Sequence, residues 1–111
     1  MMSSPIARLR WPRSRKFMLS SRGREVEQDY REKIVASRSA EGRVSFDSAR
    51  AAWASAHNLQ PDDGLYLAEV KAGPISLVQI ISALETCGKT RTEAIAALER
   101  LDDNGLLSPE T

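Results

Sequence analysis

Apolar positions recur at helical spacing along most of this chain. From Arg24 to Ser37, Val26, Tyr30 and Ile34 stand four apart with Val35 beside them, which lays one apolar stripe along a helix. Glu27 with Arg31 and Asp29 with Lys33 stand at i,i+4 in the acid-first order that supports such a helix. The run "SRSAEGR" then supplies breakers around Gly42. A second helix is expected from an N-cap at Ser45 to about His57, with Phe46, Ala49, Trp53 and Ala56 at the same period.

Three shorter helices are expected beyond it. Asp62 or Asp63 can cap the first, which presents Tyr66, Leu67 and Val70 and stops at Gly73-Pro74. Ser76 and Gln79 form a capping box at the start of the next, with Ile75 and Ile80 placed as a hydrophobic staple. Leu77, Ile80, Ile81 and Leu84 then fall at i, i+3, i+4 and i+7, one unbroken stripe on a helix ending near Gly88. Thr90 and Glu93 form a second capping box, and Ala94, Ile95, Leu98 and Leu101 line the last helix up to Gly105. No segment alternates with period two for long. The pattern therefore predicts an all-α protein of five helices.

The stretch "LYLAEVKAGPISLVQIISALETCGKTRTEAIAALERLDDNGLL" resembles the three-helix core of winged-helix regulators, over about residues 64–107. The resemblance rests on a short helix, Gly-Pro, two capped helices joined at a glycine, and the closing "L-x-x-L-x-x-x-G-L-L". It implies a helix-turn-helix DNA-contact surface at Lys89, Thr90, Arg91, Thr92, Ala96 and Arg100, with Glu99 beside them. It also implies that Leu106 and Leu107 fold back over the core. The sequence departs from the family in having Lys89 where an apolar residue usually follows the turn glycine. Only "SPET" follows Leu107, so no wing is expected.

Charge changes the picture. Residues 1–60 hold 12 basic against 6 acidic residues and residues 61–111 hold 4 against 9, although the whole chain is only +1. The first 24 residues carry seven basic residues, no acidic one, two prolines and five serines. On composition, residues 1–23 are expected to be a disordered basic arm. Its cations Arg8, Arg10, Arg13, Arg15 and Lys16 suit contact with phosphate, and Trp11 and Phe17 suit stacking on bases. The alternatives are a solvated tail, a mitochondrial-type transit peptide on an otherwise cytoplasmic protein, or an upstream extension if Met18 is the true start. Residues 24–111 would then form one helical domain. Within it, 24–58 are accessory or dimerisation helices, with Tyr30, Ile34, Phe46 and Trp53 in an interface or the core beneath it, and 61–107 are the helix-turn-helix core.

Candidate chemistry is sparse. The single cysteine, Cys87, is expected to pack as a small apolar residue, and with His57 it makes no metal-ligand spacing. His57 has no acid or nucleophile near it in sequence. "GKT" at 88–90 lacks the upstream glycine and the strand of a phosphate-binding loop. Asp62 and Asp63 read as caps and linker charge. No apolar run approaches the roughly 20 residues that cross a bilayer. A non-enzymatic chain without cofactor or metal is expected, forming homo-oligomers, in one of two roles. One is a small DNA-binding transcriptional regulator helped by its arm. The other is an adaptor binding a protein partner through an acidic, wingless module.

Overall fold

The computed structural model describes residues 10–12, 14–38 and 43–108, the side chains of 37, 38 and 43–45 excepted. Among the described residues the chain forms five α-helices: α1 (Ser21–Arg38), α2 (Arg43–Ala56), α3 (Asp63–Lys71), α4 (Leu77–Glu85) and α5 (Arg91–Asp103). The mainly helical fold is as the periodicity predicts. Two strands of two residues each, β1 (Lys16–Phe17) and β2 (Ile75–Ser76), were not expected. They pair antiparallel, with Lys16 opposite Ser76 and Phe17 opposite Ile75. Pairs this short leave too few positions for alternation to register.

Both capping boxes form. Ser76 and Thr90 each accept from the backbone N–H three residues on, while Gln79 and Glu93 reach back to the N-cap N–H. They satisfy donors that the first helical turn leaves unpaired. α1 begins at Ser21, three residues earlier than expected, and Ser20 accepts from the Gly23 N–H at 3.0 Å. α2 begins at Arg43, so Ser45 is inside it; the Ser45 side chain and the Gly42 breaker lie outside the described residues.

The end of α5 follows from Gly105. With φ at +73° this residue turns the chain so that its N–H reaches Asp102 O at 3.0 Å and the Leu106 N–H reaches Leu101 O at 2.9 Å. That is the two-bond closure of a glycine-terminated helix, and it folds Leu106 and Leu107 into the core. Asn58, at φ +60°, closes α2 in the same way and buries Leu59.

One hydrophobic core draws on every helix. Val26 comes from α1, Trp53 and Ala54 from α2, Leu67 and Val70 from α3, Ile80 and Leu84 from α4, and Leu98 and Leu101 from α5. Trp53 is wholly buried, its Nε1–H donating to Val26 O at 3.1 Å, with the Tyr30 ring edge-on against it. Val35, expected beside the α1 stripe, is instead exposed.

The described part of the N-terminal segment belongs to this core, which corrects the expectation of disorder to residue 23. Trp11, Phe17 and Leu19 are buried, Trp11 meeting Phe17 edge-to-face at 5.0 Å. Leu19 bridges Leu107, Ser108 donates its N–H to Met18 O, and the Ser20 N–H donates to Leu106 O. The segment is basic on average, yet three large apolar side chains bury enough surface to hold it. An average over 24 residues hides them. Residues 1–9 and 13, including Arg8 and Arg13, lie outside the described residues.

α1 crosses this seam at Gly23, where a Cβ would stand 2.1 Å from Leu106 O. A backbone carbonyl held in the closure of α5 has little room to yield. Gly23→Ala should lower stability by about 1–3 kcal/mol, the usual cost of forced overpacking. Urea unfolding checks this, and an unchanged midpoint would show that the seam opens freely.

Candidate functional site

The expected contact surface divides once folded. Arg91 and Thr92 stand exposed in the first turn of α5, directly after the Thr90 cap. The Thr90 hydroxyl is committed to the Glu93 N–H, and the Glu93 carboxylate accepts the Thr90 N–H. The Thr90 N–H first, and the Thr90 side chain second, hold the Glu93 carboxyl below its usual range. Ala96 and Glu99 are half-buried one and two turns on.

Lys89 and Arg100 are held by acids of the chain itself. Asp63 is completely buried and accepts both Arg100 Nε and Nη2 at 2.8 Å, as well as the Gln60 N–H at 2.9 Å. Asp62 occupies the N-cap position of α3 without making a cap hydrogen bond. Its two oxygens take Arg50 from α2 and Lys89 from the α4–α5 turn instead. Lys89 draws the Asp62 carboxyl below its ordinary value, and Asp62 in turn holds the Lys89 ammonium above its own. The two acids expected as caps thus act mainly as ion-pair partners. Both cations would have to leave those partners to reach an external phosphate.

These pairs border a cleft of about 350 Å³ between the start of α3 and α5, lined by Asp62, Asp63, Tyr66, Lys89, Glu93 and Arg100 among others. Tyr66 is a core residue whose hydroxyl, although buried, has no hydrogen-bond partner among the described residues. Burial pushes its phenol pKa up, and Lys89, Glu93, Asp63 and Asp62 all lie close enough to act on it. Tyr66 read in the sequence only as an apolar helix position.

Two of the described arm cations, Arg10 and Arg15, are also engaged within the chain. Arg10 Nη1 lies 3.2 Å from Asp102 and 2.8 Å from Asp103, at the end of α5 opposite Arg91. Arg15 donates to Ser108 O at 2.8 Å and lies over the Phe17 ring. Lys16 is exposed on β1. Trp11 and Phe17, expected to be available for stacking on bases, are buried.

Several other expectations are corrected or sharpened. His57 does have an acid partner: its Nε2 lies 2.9 Å from Asp29 Oδ2, brought there by the packing of α1 on α2, while its Nδ1 is buried without a partner among the described residues. Cys87 is exposed rather than packed, because the chain has already left α4 for the turn before Gly88. Of the residues considered for a subunit interface, Trp53 and Ile34 are buried within the chain, whereas Tyr30 and Phe46 are half-buried. Among the described residues no group of three or more His, Cys, Asp or Glu is placed to hold a metal ion. Nor is any helix there long and apolar enough to cross a membrane. No family model matches the chain, and no match is found among curated proteins or solved structures.

The buried pair gives an asymmetric prediction. Arg100→Leu strands the Asp63 carboxylate and should cost about 3–5 kcal/mol, the range for breaking a buried pair. Asp63→Asn leaves Arg100, 36% exposed, able to hydrate, and should cost clearly less. Chemical denaturation of both variants gives the order, and equal losses would mean that Asp63 is not desolvated.

Acid should destabilise the fold. His57 first and Lys33 second hold the Asp29 carboxyl below its usual value, as Lys89 holds that of Asp62. Lowered folded values mean that the unfolded chain binds protons first. The stabilisation is therefore complete above the ordinary carboxylate range, at about pH 4, and is lost as pH falls through the lowered values. Thermal melts between about pH 6 and 2 should show that decline, shallower in Asp62→Asn. An identical profile in the variant would remove Asp62 as a contributor.

Proposed function

We propose that this chain is a non-catalytic protein-binding module built on a winged-helix-like core of α3, α4 and α5, docking through the outer side of the first turns of α5. The observation that carries this reading is the commitment of Lys89 to Asp62 and of Arg100 to Asp63. A phosphate-tracking surface draws its affinity from cations whose counterions are released on binding. On the proposed face Arg91 is left opposite the acid Glu99, with Thr92, Ile95 and Ala96 between them. Their spacing places them on one side of the helix. A small, nearly neutral, mixed apolar and polar face suits a protein surface better than a polyanion.

The described N-terminal segment supports the same reading. Its Arg10 pairs with Asp102 and Asp103 at the far end of α5, so that guanidinium lies away from Arg91. The feature that favours DNA is the exposed Arg91-Thr92 pair at a helix N-terminus, where backbone donors attract anions.

Two measurements decide between them. Fluorescence anisotropy with mixed-sequence duplex DNA should show no saturable binding by the full chain at physiological salt. Saturable binding lost in Arg91→Glu would overturn the proposal in favour of a DNA reader. A photo-crosslinking residue at Thr92, introduced in the native cell, should trap a discrete protein, while the same residue at Gln28 on α1 should not. Equal trapping at both positions would mean that α5 is not the docking face.

A further inference from the structure

We propose that the cleft between the start of α3 and α5 binds an organic monocarboxylate, its carboxylate held by the Lys89 ammonium and the Tyr66 hydroxyl. The site goes beyond the docking reading above and shares Ala96 with that face. It starts from the Tyr66 hydroxyl, which is buried in the lining of the cleft and pairs with nothing among the described residues. Buried hydroxyls are normally paired, and one left over at a cleft is a donor in want of an acceptor.

Lys89, although paired with Asp62, is the one of the two cations that can turn to a single small anion without stranding a buried carboxylate. Asp62 is bound on its other oxygen by Arg50, so it keeps a counter-ion if Lys89 turns away. Asp62 is also 43% exposed, so water can take the place that Lys89 leaves. Arg100 is not free in this sense, since Asp63 is completely buried and has no other side-chain cation among the described residues. The cleft therefore holds one fixed ion pair, one exchangeable cation and one unpaired hydroxyl.

The charge around it selects the ligand. Asp62, Asp63 and Glu93 stand against Lys89, Arg100 and, through Asp62, Arg50. The lining itself has three acids against two cations, with Arg50 behind Asp62 as a third, so a single negative charge is the most the cleft takes. Pro61, Ala96 and the Tyr66 ring also line the cleft and offer an apolar wall to a short tail. Its volume lies at the small end of ligand sites.

The test titrates the isotopically labelled full chain with butyrate, against sodium chloride at matched ionic strength, reading backbone amide shifts. Saturable shifts confined to residues lining the cleft are expected. Lys89→Gln and Tyr66→Phe should each weaken butyrate binding by about tenfold, as loss of a charge-assisted hydrogen bond does. Arg22→Gln, on α1, should leave it unchanged. Tyr66→Phe removes a hydroxyl that pairs with nothing among the described residues, so its melting temperature without butyrate should equal or exceed that of the parent. Three results would each overturn the proposal: shifts that chloride reproduces, butyrate affinity unaffected by Tyr66→Phe, or tighter binding of inorganic phosphate at the same residues.

Discussion

A carboxylate sealed from water must be paired, and Asp63 imposes that condition on everything around it. Its two oxygens take the guanidinium of Arg100 side-on, in the fork geometry that arginine shares with carboxylates, and one of them also accepts the Gln60 N–H. The start of α3 is thereby locked to the third turn of α5, and the chain entering α3 is locked to both. Leu67 and Val70 on α3 and Leu98 and Leu101 on α5 can then meet in one core. Burying a charge pair is a poor source of net stability, but losing one partner of this pair would leave an anion uncompensated in a dry site.

Its neighbour shows how much depends on burial. Asp62 has the same side chain one position earlier, yet it is open to water and is shared between Arg50 and Lys89. The inner acid fixes an arginine, and the outer one shares its two oxygens between an arginine and a lysine. Together they take up the cations that would otherwise give the α5 side of the molecule a basic character.

The same economy operates at the chain ends. A basic first half and an acidic second half would suggest a free arm and a separate body, but the described part of that arm lies on the body. Arg10 meets Asp102 and Asp103, and residues 18 to 20 run against Leu106, Leu107 and Ser108. Trp11, Phe17 and Leu19 supply the apolar burial, while the ion pairs at the end of α5 are exposed and weaker. The seam closes because Gly105 turns Leu106 inward and Gly23 leaves room for its carbonyl.

The sequence by itself determined the helices, because helix formation is written locally. Apolar residues at a period of 3.6, the capping boxes at Ser76–Gln79 and Thr90–Glu93, and the stop at Gly105 act over a few residues, so the mainly helical fold is legible without any tertiary knowledge. The exposure of Arg91 and Thr92 at the start of α5 was legible for the same reason. Only the tertiary structure decided which charges face solvent, since the partners stand far apart in the chain: Asp63 with Arg100, Asp62 with Arg50 and Lys89, Asp29 with His57, and Arg10 with Asp102 and Asp103. The strand pairing of Phe17 with Ile75 and the buried hydroxyl of Tyr66 arise in the same way. Periodicity reports which side of a helix is buried, but the partner of a polar group depends on which elements pack together, and no local window contains both.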